Sequence, residues 1–344
     1  MVGVSIILDY ERKWPVMSST ALKYDLLCIG NAIVDVLATV TPELLAEFGA
    51  APGSMTLIDA ATMAKLEQRI HIEHVAGGGS AANSAVVAAR MGAKTAYLGK
   101  VAADKAGEDF TADLRKQGID VPSTPLAAGE AIPTARCIVL ITPDGQRTMF
   151  TYLGACVEFT PHDVLENIVA ESAITYLEGY LFDRPQAQEA FYQAARLAHK
   201  AGRKVSLTLS DSFCIQRHQA AFRDFVAESV DILFANEAEI LALYETETLD
   251  DALKALSHDV ALGVVTRGEK GAVIQAGEER HDVPTKPVKL VDTTGAGDAF
   301  AAGFLAGYSR HHSLVESARL GNEAAGHVIA RLGGRPGADF ALKA

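Results

Sequence analysis

Short apolar runs alternate along most of the chain with longer stretches whose apolar positions recur at helical spacing. The runs at residues 24–29, 95–101, 173–177, 204–209, 232–235 and 262–266 predict buried strands. Helical spacing predicts helices over 81–91, 107–117, 185–201, 237–244, 249–257, 299–308 and 314–331. Repeated strand-then-helix units argue for a mostly parallel sheet covered by helices on both faces. Two regions break the alternation. Residues 36–60 predict a short helix over 41–48, capped by Thr41 with Pro42 at its first position, then a strand over 55–58 and a helix starting at Asp59. Residues 134–153 predict a hairpin, with arms 136–142 and 146–153 around Pro143-Asp144-Gly145. Both suit a small β flap beside the main sheet. Residues 271–283 look like a second hairpin. We expect one domain over 23–344 with the flap inserted, and an N-terminal extension over 1–22, with Met17 an alternative start.

Composition narrows the classes of function. Of 344 residues 49% are hydrophobic and 7% aromatic, enough for a sizeable core built from small aliphatic side chains. Lysine and arginine total 31 against 43 aspartates and glutamates, and the net charge of -12 disfavours a nucleic-acid surface. No apolar run approaches the roughly 20 residues that span a bilayer. The short run 4–8 is followed by Asp9, Glu11 and Arg12 and makes a poor secretion signal. Cys28, Cys137, Cys156 and Cys214 are scattered, as expected of reduced, buried thiols in a cytoplasmic protein. His71, His74, His311 and His312 lack partners at metal-ligand spacing and are expected at the surface.

Chemistry concentrates at a few turns. Residues 286–291 predict a strand, followed by Asp292-Thr293-Thr294-Gly295-Ala296-Gly297-Asp298 and then a helix. Free N–H groups at such a glycine turn attract anions, phosphate above all. Asp298 is then either a plain first-turn acid or a base beside a bound phosphoryl group. A dinucleotide fingerprint fits poorly, because the third glycine is missing and too little chain follows. Asp35 interrupts the apolar run 32–38, and such an acid must be solvated, paired or reserved for a ligand. Gly77-Gly78-Gly79-Ser80-Ala81-Ala82-Asn83-Ser84 opens a helix of small residues that can approach a sheet or a ligand closely. Asn236-Glu237-Ala238-Glu239 is either a helix cap with its capping-box glutamate or a turn beyond a strand end, where ligands sit in an open α/β sheet.

These motifs together resemble the ribokinase-like (PfkB) family of sugar and nucleoside kinases, and within it the adenosine kinases. The resemblance covers about residues 23–336 and rests on 78–84 continuing through Gly92 to Gly107, on 292–298, and on the opening Gly30-Asn31-Ala32-Ile33-Val34-Asp35. It implies a three-layer α/β/α sandwich with a mostly parallel central sheet and a small β-sheet lid. It also implies ATP-dependent phosphorylation of a nucleoside 5′-hydroxyl. Asp298 would be the base, with the amides of Gly295, Ala296 and Gly297 holding the developing charge. Asp35, Gly78, Gly79 and Asn83, with Asn31 nearby, would bind the substrate ribose. Asn236 would hold phosphate, and Glu239 would hold Mg2+ through water. Arg147, Thr266, Gly268 and Gly271 would line the ATP ribose and phosphates, and Asn322 and Ala325 the adenine pocket. The loop Gly333-Gly334-Arg335 near Asp292 and Thr294 loosely resembles a K+ site. Phe150 and Tyr152 are expected to pack within the flap, although in this family one could touch a nucleobase. The expected partners are ATP and a small nucleoside or sugar, with neither nucleic acid nor membrane, in a monomer or homodimer. A sugar kinase acting on ribose, fructose or 2-keto-3-deoxygluconate, and a silent ligand-binding homologue, remain the alternatives.

Overall fold

The computed structural model describes residues 21–127, 132–144 and 146–344. Gly145 of the hairpin turn, Met17 and most of the expected extension lie outside the described residues. The strands are β1 (Tyr24–Ile29), β2 (Ile33–Thr39), β3 (Met55–Leu57), β4 (His74–Gly77), β5 (Thr95–Leu98), β6 (Ala135–Ile141), β7 (Arg147–Tyr152), β8 (Ser172–Glu178), β9 (Lys204–Thr208), β10 (Ile232–Asn236), β11 (Leu262–Thr266), β12 (Ala272–Ala276) and β13 (Glu279–Val283). The helices are α1 (Pro42–Glu47), α2 (Ala60–Glu67), α3 (Ser80–Arg90), α4 (Lys105–Lys116), α5 (Glu166–Ala170), α6 (Pro185–Lys200), α7 (Ser212–Ser229), α8 (Glu237–Tyr244), α9 (Leu249–Asp259), α10 (Ala296–Tyr308) and α11 (Leu314–Ile329).

Eight strands form one sheet in the order β13-β12-β11-β10-β9-β8-β1-β5, parallel from β5 to β11 and closed at one edge by the antiparallel pair β12 and β13. Helices cover both faces. Along β1, Leu26 and Cys28 face the layer holding α3, α4, α10 and α11, while Leu27 and Ile29 face the layer of α5 to α9. In β10, Ile232 and Phe234 divide from Leu233 and Ala235 in the same way. Strands buried on both faces read as unbroken apolar runs. The expected α/β/α sandwich is therefore observed.

The second sheet runs β3-β7-β6-β2-β4 and takes in β4 and the start of β2 as well as the expected flap strands. On one of its faces Val36, Ala38, Ile138, Leu140 and Phe150 pack on Leu45 of α1 and on Met63 and Leu66 of α2. Phe150 is fully buried there, edge-on to Phe48, so its ring belongs to this small core. Asp59 caps α2 by accepting from the Thr62 N–H at 2.7 Å, whereas the Thr41 side chain makes no cap bond to α1.

One expectation fails and two elements go unpredicted, each for a physical reason. Residues 286–291 form no strand: Val288, Leu290 and Val291 are exposed, and Val291 and Asp292 donate to the Ile329 carbonyl instead. The glycine turn thus follows an extended arm and not a sheet strand. Helix α7 escapes a periodicity reading because His218 (φ -132°, ψ 27°) kinks it and shifts the phase of its apolar face. Strand β4 is too short and too exposed to show alternation.

Helices α10 and α11 touch through glycines. A Cβ on Gly303 would lie 2.7 Å from the Leu320 carbonyl oxygen and 2.9 Å from the Gly321 Cα. Gly303→Ala should therefore lower stability by about 1–3 kcal/mol through overpacking. Urea unfolding should show this as a lower midpoint with an unchanged slope.

Candidate active site

Two helix N-termini converge on one acid. Asp298 lies in the first turn of α10, and its Oδ1 accepts from Ser80 Oγ at 2.6 Å. Its Oδ2 accepts from Asn83 Nδ2 at 3.1 Å, and Ser84 Oγ donates to its carbonyl at 3.1 Å. Burial raises the Asp298 pKa, and the bonds from Ser80 and Asn83 and the charge of Arg335 partly offset that rise. Gly295 caps α10 at φ 75°, where only glycine is unstrained, and a Cβ on it would lie 2.5 Å from the Gly334 carbonyl oxygen. The Ala296 N–H donates to the Thr293 carbonyl at 3.2 Å. Among the described residues no protein acceptor takes the N–H groups of Gly295, Gly297 and Asp298, so the open donors of this turn are those three.

The turn after β1 meets the same place. Gly78 sits so close to Asp35 that a Cβ there would lie 2.5 Å from the carboxylate, and a Cβ on Gly79 (φ 85°) would lie 2.2 Å from the Asn31 carbonyl oxygen. The Asp35 carboxylate accepts no hydrogen bond among the described residues. Burial pushes its pKa up to about 6, with Arg335 and Arg147 pulling the other way and Asp298 adding to the rise. Arg335 donates to Asn83 Oδ1 at 2.9 Å and pairs with Asp113 at 2.5 Å, so it braces the residue that holds Asp298. Arg147, at the start of β7, pairs with Asp292 at 2.5 Å, and both side chains are largely covered. Asp292 also accepts the N–H of Gly333 at 2.8 Å and of Thr294 at 3.1 Å, and these bonds and Arg147 hold its pKa down despite partial burial. Nε and one terminal nitrogen of Arg147, and one of Arg335, are buried donors without a partner.

Glu178, at the C-terminal end of β8, had no part in the expected site. It is 1% exposed and takes the N–H of Ala81 on Oε2 at 2.8 Å and the Asn31 side-chain amide on Oε1 at 2.9 Å. Burial raises its pKa to about 7, with Asp298 adding to the rise against these bonds. Its signal in the sequence was slight: one acid ending an apolar strand before glycine. Ser80 and Arg335 lie within the sequence motifs, but nothing in those motifs points to their hold on Asp298 and Asn83.

The remaining expected residues gather beside this group, at the ends of β10 and β11. Asn236 pairs with Thr266 across these strands. Asn236 and Glu239 form a reciprocal capping box, in which Glu239 takes the Asn236 backbone N–H at 2.9 Å and the side-chain amide at 2.7 Å. Burial lifts Glu239 to about 7, and Asp211 adds to that rise. Gly268 (φ 56°) and Gly271 (φ 86°) shape the turn after β11, and Asn322 ties α11 to the carbonyls of Val283 and Pro284 at 3.3 Å. Ala325 is partly buried on α11. Tyr180 is 41% exposed, and desolvation of its hydroxyl, followed by the charges of Asp211, Asp298, Glu178 and Glu239, raises its pKa.

Among the described residues no cluster of three metal-ligating side chains occurs, no helix is long and apolar enough to cross a membrane, and the four cysteines are free and buried. His71, His74, His311 and His312 are exposed, as expected.

A three-layer α/β sandwich, a helix start with open N–H donors, a partly buried acid beside it and a second sheet alongside accompany a kinship that makes the chain a phosphotransferase with an alcohol group as acceptor. The family described as "pfkB family carbohydrate kinase" matches residues 43–340, and the chain belongs to it. The chain is 49% identical to the crystal structure of adenosine kinase from Sinorhizobium meliloti, with a TM-score of 0.84 over 91% of this chain and 96% of that one. It is 45% identical to a probable sugar kinase from Rhizobium etli, also at a TM-score of 0.84, over 92% and 96% of the two chains. The adenosine kinase of Saccharomyces cerevisiae is 29% identical over 334 residues, 90% of this chain and 95% of its own.

The raised acids set a pH dependence. Because the folded chain holds the Asp35 proton more tightly than the unfolded chain, Asp35 favours folding when protonated. That contribution is lost as pH rises from about 3.8 to about 6. Asp35→Asn, which stays neutral, should gain up to ~3 kcal/mol over the natural chain at pH 8 and about half of that at pH 5. Urea titrations at the two pH values would show the difference; equal gains at both would refute the shift.

Proposed function

We propose that the chain is an ATP-dependent kinase that transfers the γ-phosphoryl group to the 5′-hydroxyl of adenosine. The observation that carries the choice of a nucleoside is the face of the small sheet turned away from its core, which is buried at Cys137, Val139 and Thr151 and opens at the β3 edge. Cross-strand pairing puts Asp35, Cys137, Thr151 and Leu57 in one row of that face and Leu37, Val139, Met149 and Met55 in the next. Met55 and Leu57 are each 52% exposed. A carboxylate suited to a vicinal diol thus shares a sheet face with apolar side chains, and a flat base reaching toward β3 would cover the exposed ones at about 25 cal/mol per Å² removed from water. A sugar alone would leave that surface wet. The kinship with adenosine kinases supports the same reading.

In this reading Asp298 accepts the proton of the attacking hydroxyl, and the N–H groups of the turn from Gly295 to Asp298 stabilise charge on the transferred phosphoryl. Asn83 and Ser80 hold the base in line, and Asp35 with Gly78, Gly79 and Asn31 holds the ribose. Arg147 and Arg335 have spare buried donors on the side where the phosphates would lie. Asn236, Thr266, Gly268 and Gly271 would border the nucleotide, with Asn322 and Ala325 at its adenine end. Mg2+, when bound, neutralises the β- and γ-phosphates. Both Glu239 oxygens already accept hydrogen bonds from Asn236, so this chain would hold the ion through water and phosphate oxygens. A guanidinium already pairs with Asp292, and K+ is therefore left out of the reading. Closure of the small sheet over the cleft would exclude water as a competing phosphoryl acceptor.

ADP release measured with adenosine, inosine, guanosine, ribose and fructose should give adenosine the highest kcat/KM; preference for ribose or fructose would overturn the nucleoside assignment, and no turnover with any would favour a silent homologue. Asp298→Asn should lower kcat by roughly a thousandfold or more with little change in either KM. Asp35→Ala should act mainly by raising the nucleoside KM.

A further inference from the structure

The large sheet changes direction at β1: the chain first moves to β5 on one side, then to β8 and onward on the other. Ligands bind in the crevice that such a reversal opens beyond the strand ends. Asn31 and Glu178 close this crevice from its two sides. Two of the donors that converge on Glu178 are backbone groups that cannot turn away, the N–H of Asn31 at 3.3 Å and of Ala81 at 2.8 Å. The third is Asn31 Nδ2. No room exists for relaxation, since a Cβ on Gly30 would lie 2.3 Å from Glu178 Oε2. The other end of the Asn31 amide, Oδ1, is buried without any partner. An orphaned buried carbonyl is costly, and at a strand-end crevice it calls for a donor that the chain itself does not supply.

We propose that Glu178 is a positioning residue for the phosphoryl acceptor: by accepting the Asn31 amide N–H, it obliges Asn31 to offer Oδ1 to a substrate hydroxyl. An ionised carboxylate can only accept, so it admits one orientation of the amide and rejects the flipped one. The same carboxylate ties the β1 turn, which leads to Asp35, to the start of α3, which carries Ser80 and Asn83. The inference rests on the reading of this cleft as the acceptor site.

The test is a set of three variants assayed at pH 8: Glu178→Gln, Asn31→Asp, and the two combined. A glutamine can accept the Ala81 N–H and still present its NH2 to Asn31, whose amide then flips and turns a donor outward. The nucleoside KM should rise about tenfold, the loss of one hydrogen bond, with the ATP KM and kcat within about twofold. Asn31→Asp alone sets two carboxylates face to face and should be worse. The combined variant restores an outward acceptor and should bring the nucleoside KM back to within about threefold of the natural value. An unchanged KM in Glu178→Gln, or a rise that the combined variant does not reverse, overturns the proposal. The side-chain amide signal of Asn31 in ¹⁵N–¹H spectra needs no substrate. It should move in Glu178→Gln, and a signal that stays put overturns the clamp even where turnover is absent. Absence of turnover in the natural chain would instead count against the proposed function.

Discussion

The interaction on which the rest depends is the grip of α3 on Asp298. Ser80 and Asn83 come from the first turn of one helix, and Asp298 from the first turn of another. Two positive helix ends would repel if nothing negative lay between them. The carboxylate removes that repulsion and is in turn kept ionisable inside a cleft where burial alone would favour the proton. Arg335, held by Asp113 and Asn83, supplies the remaining charge. The base is thus part of the reason the two helices can meet.

Around that contact the chain accumulates buried acids. Asp35, Glu178 and Glu239 all have raised pKa values, and burial is the leading cause in each. Such groups lower the stability of an empty cleft, which is what a site built to receive cations and donors has to tolerate. The structure confines the strain to the strand ends, while the two helical layers behind the sheet are built almost entirely from aliphatic and aromatic contacts.

Much of this was legible in the sequence. Buried parallel strands read as apolar runs, so β1 and β11 fall at the expected residues, and helical spacing places α8 equally well. The glycine turns were legible because their conformations admit little else, as at Gly79 and Gly295. What stayed hidden depends on distance along the chain. Nothing near Glu178 says that its partners are Asn31 and Ala81, and nothing near Arg335 names Asn83. The arm over 286–291 looked like a strand because apolar composition cannot distinguish a sheet position from an exposed one. Phe150 packs as expected of a flap aromatic, because the register of β6 and β7 turns it into the small core.

The glycine at 334 has a consequence for how the sequence can vary. Its Cα lies where a Cβ on Gly295 would have to go, and a Cβ of its own would lie 2.8 Å from Asn83 Nδ2. A side chain at either position would therefore press on the other, or on the amide that holds the base. Positions 83, 295 and 334 come from three separate parts of the chain, yet they share one tightly filled space. A larger residue at 295 or 334 therefore has no free space to enter.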